Sequence, residues 1–113
     1  AISYLVANGF NVHDRNFRRP YGEIDIIAEK DKVLHFIEVK TSKYYPETAF
    51  SPEIRVNARK IRKLKQLCET YLRETRVSHE QPWQIDVISV ILDDDGSVRE
   101  IKLFENAVFE KRY

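Results

Sequence analysis

Two carboxylates and an amine in the first part of the chain have the types and spacing needed to bind a hard cation. Asp25 lies in the run GEIDIIA (22–28), while Glu38 and Lys40 end the run VLHFIEVK (33–40). Both runs are rich in Ile, Val and Phe, which predicts two strands, and the polar residues between them predict a turn. The chemistry would then be that of acidic side chains gathered on a small antiparallel hairpin.

The register of this hairpin decides which side chains meet. A tight turn with Lys30-Asp31 at its tip would pair Asp25 with Phe36 and Glu23 with Glu38. Asp25 and Glu38 would then be diagonal neighbours, about 7–8 Å apart at the backbone, and could share one small cation. Because side chains alternate along a strand, four are expected on one side of the sheet, namely Glu23, Asp25, Glu38 and Lys40.

The charge balance of this cluster favours a cation. Two like charges about 4 Å apart repel by roughly 4 kcal/mol at an effective dielectric constant near 20, and a single lysine cannot offset three acids. Oxygen ligands suit Mg²⁺ or Mn²⁺ better than zinc. The alternative is a surface ion pair between Glu38 and Lys40, worth about 0–1 kcal/mol. An acid on the neighbouring strand makes the metal site the better interpretation.

Length and composition set the frame for this site. The chain has 113 residues, of which 42% are hydrophobic and 33% charged, and this predicts one domain over 1–113. Its net charge is +1, so a nucleic-acid surface would have to be local. One cysteine fits a reducing cytoplasm, and no apolar run approaches the ~20 residues of a membrane span. The chain begins at Ala1 rather than Met, so we expect a truncated first helix.

The remaining pattern predicts an α/β protein. Apolar spacing predicts a helix over 1–8, and Ser51-Pro52 has the form of a helix start. The strand after this long helix can lie parallel to the strand before it, through a right-handed crossover. The other predicted elements are a strand over 10–17, a loop over 41–52, the long helix to Glu74, an interior strand over 83–92, a turn at Asp93-Gly96 and a strand over 98–104.

Asp25, followed by Glu38-Val39-Lys40 at the end of an apolar strand, resembles the active-site signature of the PD-(D/E)xK nuclease superfamily. More closely, Arg15-Asn16, the run 22–28 and Phe36-Ile37-Glu38-Val39-Lys40-Thr41 resemble the YraN-like family of small bacterial proteins. The similarity runs from Ala1 to about Val90, and archaeal Holliday-junction resolvases are similar in their core. The resemblance implies a restriction-endonuclease-like αβββαβ core with a mixed central sheet flanked by helices.

The same resemblance implies a Mg²⁺-dependent (or Mn²⁺-dependent) endonuclease acting on nucleic-acid phosphodiesters, with branched or structured DNA among its substrates. Asp25, Glu38 and the Val39 carbonyl would hold the metal. Lys40 would orient the attacking water and offset developing negative charge. Glu23 would bind a second metal or a metal-bound water. In the family a further Glu lies just before the position of Ala1.

Basic and aromatic residues outside the hairpin predict a nucleic-acid surface. Three arginines lie within five residues before Pro20, and arginine pairs with phosphate in two-pronged geometry. No acid interrupts the helix between residues 55 and 65. A solvated loop and a solvated helix face are the plain alternatives, as is a tyrosine that covers the edge of the core. The predicted set is Arg15, Arg18, Arg19, Tyr44, Arg55, Arg59, Lys60, Arg62 and Lys63.

Two other function classes fit the same residues. One is a nucleic-acid-binding module of this fold without catalysis, and the other is a protein-interaction scaffold. DNA is the expected partner, a membrane is not, and a homodimer is left open. Asp86 is expected to form structural hydrogen bonds and Cys68 to lie in the core. The three histidines show no metal-ligand spacing.

Overall fold

The computed structural model describes residues 1–44 and 58–107. Within these ranges the elements follow the predicted α/β order, αβββαβ, with one further strand at the end. They are α1 (Ile2–Ala7), β1 (Asn11–Arg19), β2 (Gly22–Lys30), β3 (Val33–Lys43), α2 (Ala58–Glu74), β4 (Trp83–Leu92) and β5 (Val98–Phe104).

One mixed sheet carries the five described strands in the order β1-β2-β3-β4-β5. The β1–β2, β2–β3 and β4–β5 pairs are antiparallel, whereas β3 and β4 are parallel. A parallel pair needs a crossover connection, and α2 lies in the segment that joins these two strands. The predicted mixed sheet and parallel crossover are therefore confirmed.

The sheet separates two core layers. We call the first the α2-side layer, because residues of α2 pack there against the sheet. Its buried members are Phe17, Ile24, Ile27, Leu34, Phe36, Leu64, Leu67, Cys68, Tyr71 and Ile85. We call the second the α1-side layer, and its buried members are Leu5, Phe10, Ile26, Ala28, Ile37, Ile88 and Val90. Since β3 and β4 are covered on both faces, their sequences read as nearly continuous apolar runs.

The β2–β3 hairpin differs from its predicted register. Phe36 pairs with Ile27 rather than with Asp25, so the predicted pairs were wrong by two residues. The turn lies at Asp31-Lys32, not at Lys30-Asp31, and both residues have positive φ (52° and 68°). Positive φ at both central positions defines the type I′ turn, whose twist matches that of the flanking strands. A two-residue shift by itself keeps each side chain on its face. The expectation that four side chains share one face is nevertheless not confirmed, because Asp25 borders a cleft beside α1 whereas Glu38 contacts Lys60 of α2.

Several element limits also differ from the prediction. β1 continues to Arg19, so Arg18 and Arg19 lie on the strand, two residues beyond its predicted end at Phe17. β3 continues to Lys43, beyond the predicted start of a loop at residue 41. The helix start expected at Ser51-Pro52 and most of the loop before it lie outside the described residues. Among the described helices, none has the length and apolar character needed to cross a membrane.

The beginning of β2 is shaped by close packing of α2. A Cβ added to Gly22 would lie 2.9 Å from Leu67 Cδ1, closer than real Cβ contacts allow, and Gly22 has a φ of 151°. Glycine at this position therefore lets the first residue of β2 approach α2 directly. Leu67 of α2 thus packs directly on the strand that carries Asp25.

Candidate active site

Asp25 lies where the ladder between β2 and β3 ends. The last recorded pair is Ile26 with Ile37. Beyond it, the backbone N–H of Val39 donates a hydrogen bond of 2.7 Å to Asp25 Oδ2. The carboxylate thus accepts a hydrogen bond from the N–H of β3 in the way that a backbone carbonyl of β2 would. This hydrogen bond holds the side chain between the two strands.

The alternation of β2 is interrupted at Asp25. Ile24 packs in the α2-side layer, whereas Ile26 packs in the α1-side layer. In regular alternation residues 24 and 26 would share a face. On the adjacent strand Asn16 has a φ of 55°, so β1 is irregular at the same level. We call the place where the β2–β3 pairing ends, just beyond Ile26 and Ile37, the fork. There the Asp25 carboxylate is half-buried and belongs to neither core layer.

Glu38 is held by two amines. Lys40 Nζ lies 3.1 Å from Glu38 Oε2, and Lys60 Nζ of α2 lies 3.0 Å from the same oxygen. The Glu38 side chain is 16% exposed, while those of the two lysines are about 40% exposed. The pairing of Glu38 with Lys40 follows from strand spacing, but the contact of Lys60 was missed. Lys60 was predicted only as a phosphate contact, because sequence spacing does not show which helix turn reaches the sheet.

The pKa values of the two carboxyl groups move in opposite directions. Burial raises the pKa of Asp25, and the nearby charges of Glu23 and Glu38 raise it further, against the Val39 hydrogen bond and the charge of Lys60. Burial also acts to raise the pKa of Glu38, but hydrogen bonds from Lys60 and Lys40 outweigh it and leave that pKa lowered. Asp25 therefore carries negative charge that the protein compensates only in part.

These groups fit a hard divalent cation. The donors are carboxylate oxygens on adjoining strands, which are the ligands that Mg²⁺ and Mn²⁺ prefer. Burial disfavours the ionised form of Asp25, and a positive charge nearby would stabilise that form. Asp25 and Glu38 would hold the ion, with the backbone of Val39 between them. The hydrogen bond from Val39 already restrains one of the two ligands.

Asp25 also borders an open cleft of about 480 Å³ on the α1 side of the sheet. Arg15, Asn16 and Val39 line the same cleft. The structure thus places one predicted phosphate-binding residue, Arg15, beside a predicted metal ligand. A guanidinium next to a carboxylate site can hold a phosphate group close to a bound cation.

The other predicted residues near the hairpin have partners within the protein. Arg18 forms an ion pair with Glu23 at 2.9 Å. Glu23 therefore has an arginine partner, and its charge also acts on Asp25. Arg19 pairs with Glu74 of α2, and its guanidinium lies 4.3 Å from the centre of the Phe17 ring. Arg18 and Arg19 thus have partners within the protein, and their phosphate contacts stay predictions.

The basic surface on α2 is described only in part. Arg59, Arg62 and Lys63 are exposed, as a phosphate-binding face requires. Arg55 lies outside the described residues. Tyr44 donates its backbone N–H to Leu92, and the guanidinium of a β5 residue, Arg99, lies 3.7 Å from the centre of its ring. That stacking occupies the ring and supports the alternative in which Tyr44 covers the edge of the sheet.

A second polar cluster was missed by the sequence reasoning. His35 Nδ1 lies 2.5 Å from Asp86 Oδ2, and both side chains are buried. Asp86 Oδ1 accepts hydrogen bonds from Gln84 Nε2 and from the backbone N–H of Asn106. Ligand atoms of His35, Asp86 and Glu105 lie within 4.8 Å of one another, a grouping that could hold a metal. The only signal in the sequence was an acid within an apolar interior strand.

The role expected of Asp86 agrees with these hydrogen bonds, whereas the spacing argument about histidines overlooked His35. The three residues of the cluster are far apart in the sequence: pairing of β3 with β4 brings His35 near Asp86, and pairing of β4 with β5 brings Glu105 near both. Cys68 lies in the core as expected, and burial raises the pKa of its thiol. It is therefore a packing residue rather than a reactive one.

Comparison with known proteins identifies the family of this chain. The model of the family described as "Uncharacterised protein family UPF0102" matches residues 1–90. A UPF0102 protein of Campylobacter hominis is 38% identical over 104 residues, which cover 91% of this chain and 87% of that protein. A UPF0102 protein of Campylobacter lari is 41% identical over 106 residues, covering 94% and 84%. A UPF0102 protein of Clostridium botulinum is 37% identical over 107 residues, which cover 95% of this chain and 85% of that protein. The YraN-like resemblance of the sequence is thereby confirmed, and this chain belongs to the UPF0102 (YraN) family.

Proposed function

We propose that this protein is a Mg²⁺-dependent endonuclease that hydrolyses phosphodiester bonds of DNA, with branched or structured DNA as its substrate. The observation that carries the proposal is the fork between β2 and β3. There Asp25 is fixed by the Val39 N–H, and the next strand presents Glu38 with Lys40 beside it. Two carboxylates on adjoining strands, each held by a hydrogen bond or ion pair, and an amine beside one of them suit metal-assisted hydrolysis better than nucleic-acid binding alone.

The roles of the protein groups follow from their chemistry. A divalent cation bound here would lower the pKa of a water and neutralise charge on the phosphate. Asp25 and Glu38 would hold and orient that ion through their carboxylate oxygens. Glu38 is ionised over a wide pH range because its lysine partners lower its pKa. The pKa of Asp25 is raised, so its anion would gain more from a nearby cation than that of Glu38.

Lys40 acts as a cation rather than as a base. Its hydrogen bond to Glu38 raises its pKa, so the amine stays protonated at neutral pH. A general base must be deprotonated at the working pH. A protonated amine instead donates hydrogen bonds to the attacking water and to the phosphate oxygens, where negative charge develops during the reaction.

Substrate contacts would come from two places. Arg15 borders the cleft at Asp25 and can hold a phosphate next to the reacting group. The exposed residues Arg59, Arg62 and Lys63 of α2 provide positive charge that follows the helix. Phosphate contacts of this kind release counterions, so affinity should fall steeply as salt increases.

The proposal is tested with the full-length protein on supercoiled, branched and single-stranded DNA in Mg²⁺ or Mn²⁺. Asp25→Asn and Lys40→Met should each lower the cleavage rate by about 100-fold or more, as loss of a transition-state contact does. Asp94→Asn, an exposed acid in the β4–β5 turn, is the matched control and should cleave like the wild type. If all four proteins give the same products at the same rates on every substrate, the nuclease proposal is wrong.

A second candidate is a nucleic-acid-binding module that does not cleave. The observation in its favour is that Glu38 already has two lysine partners, which neutralise it without a metal. Titration with Mn²⁺ separates the two candidates. A binding module would bind DNA with strong salt dependence but would bind Mn²⁺ no better than Asp25→Asn does.

A further inference from the structure

Lys60 connects α2 to the candidate metal site. It belongs to the first described turns of the helix, and its amine donates a hydrogen bond of 3.0 Å to Glu38 Oε2. Lys40 reaches the same oxygen at 3.1 Å. Glu38 therefore meets two ammonium groups, although one would balance its charge. The second ammonium is a positive charge placed where a divalent cation would also have to bind.

We propose that Lys60 is a positioning residue that fixes Glu38 and restrains the affinity of the site for divalent cations. The inference rests on the proposed function, because it concerns the same carboxylates. A cation held by Asp25 and Glu38 lies close to the Lys60 amine and is repelled by it. Lys60 also contributes to the electrostatic environment of Asp25, so its charge acts on both candidate ligands.

The position of Lys60 distinguishes this role from a phosphate contact. Its neighbours Arg59, Arg62 and Lys63 are exposed, whereas Lys60 is partly buried and turned toward the sheet. Lys40 supports Glu38 independently, so loss of the Lys60 amine leaves the carboxylate one lysine partner and removes one competing charge. The expected result is a site that binds divalent cations more tightly.

The experiment measures binding of Mn²⁺ to the full-length protein without DNA, by isothermal titration calorimetry and by paramagnetic resonance of free Mn²⁺. The Lys60 side chain is 40% exposed, so solvent screening weakens its repulsion of the cation. We therefore expect Lys60→Met and Lys60→Gln to bind about tenfold more tightly than the wild type, equivalent to about 1.4 kcal/mol. Lys60→Arg keeps the charge and should restore the wild-type affinity.

Two comparison variants identify the cause. Lys32→Met removes an equal charge from the exposed β2–β3 turn and should leave Mn²⁺ affinity unchanged. Lys63→Met removes a charge from the exposed face of α2 and should weaken DNA binding without altering Mn²⁺ affinity. If Lys60→Met, like Lys63→Met, weakens DNA binding and leaves Mn²⁺ affinity unchanged, Lys60 is only a phosphate contact and the inference is wrong.

The outcomes separate this inference from the nuclease proposal. If wild type and Lys60 variants bind Mn²⁺ equally, the inference fails while the nuclease proposal stands. If the variants bind more tightly but no protein cleaves DNA, the inference stands and the nuclease proposal fails. If no protein binds Mn²⁺ at all, both are overturned.

Discussion

Replacing Asp25 by Asn is expected to stabilise the metal-free protein while weakening its cation site. Asparagine keeps a side-chain oxygen that can accept the Val39 N–H, so the hydrogen bond at the fork is preserved. It removes the negative charge that burial and the acids Glu23 and Glu38 disfavour. A residue that binds a ligand often makes the folded protein less stable than another residue at the same position would.

The pH dependence has a definite sign. The folded protein raises the pKa of Asp25 above 3.8, so it binds the proton more tightly than the unfolded chain does. The contribution of Asp25 to stability is therefore largest at low pH and is lost as pH rises through the folded pKa. Above that range the wild type bears the unfavourable charge, and the asparagine variant does not.

The magnitude is set by comparison with Asp25→Ala. Alanine also removes the charge but leaves the half-buried Val39 N–H without its acceptor, which costs about 1–3 kcal/mol. We expect Asp25→Asn to be at least as stable as the wild type and more stable than Asp25→Ala by about 1–2 kcal/mol. For a chain of this size, each kcal/mol corresponds to a change in Tm of about 4 °C or more.

The assay is urea denaturation followed by circular dichroism, in EDTA at neutral pH, with Asp94→Asn as control. The same titration in Mg²⁺ should stabilise the wild type, because a ligand of the folded state adds its binding free energy. It should leave both Asp25 variants nearly unchanged. If Asp25→Asn is destabilised in EDTA as much as Asp25→Ala, the folded protein does not disfavour the charge of Asp25, and the reasoning about the site is refuted.

Three further predictions follow from the described contacts. Because the pKa of Lys40 is raised, the single-turnover cleavage rate of the wild type should show no titration of Lys40 near neutral pH. A rate that rises with pH there in the wild type but not in Lys40→Met would instead identify Lys40 as the general base. Glu38→Gln should destabilise the metal-free protein at neutral pH by about 0–1 kcal/mol, given the exposure of its partners Lys40 and Lys60. That difference should vanish as pH falls below 4.5, through the lowered pKa of Glu38; urea titrations at several pH values measure it. His35→Ala leaves the fully buried Asp86 without one partner, and urea denaturation should show a loss of about 3 kcal/mol or more, against a much smaller loss for the exposed His79→Ala.

The sequence by itself determined the elements and the residues of the hairpin. Alternation and apolar runs are local properties, so they predicted β2, β3 and β4 and the parallel crossover between β3 and β4. The Glu38-Val39-Lys40 triplet and Asp25 also follow from local pattern, together with the family resemblance. The face of each residue of β3 followed even though the register was wrong, because the error was two residues, a whole side-chain period.

Only the tertiary structure decided how distant parts of the chain meet at the site. The turn conformation at Asp31-Lys32 set the register, and the fork that interrupts β2 at Asp25 comes from pairing with both neighbouring strands. The contact of Lys60 with Glu38 depends on how close α2 packs to the sheet, and that of His35 with Asp86 on the pairing of β3 with β4. Periodicity gives a residue's face and neighbours along its own element, but distances between elements arise from packing of the whole core.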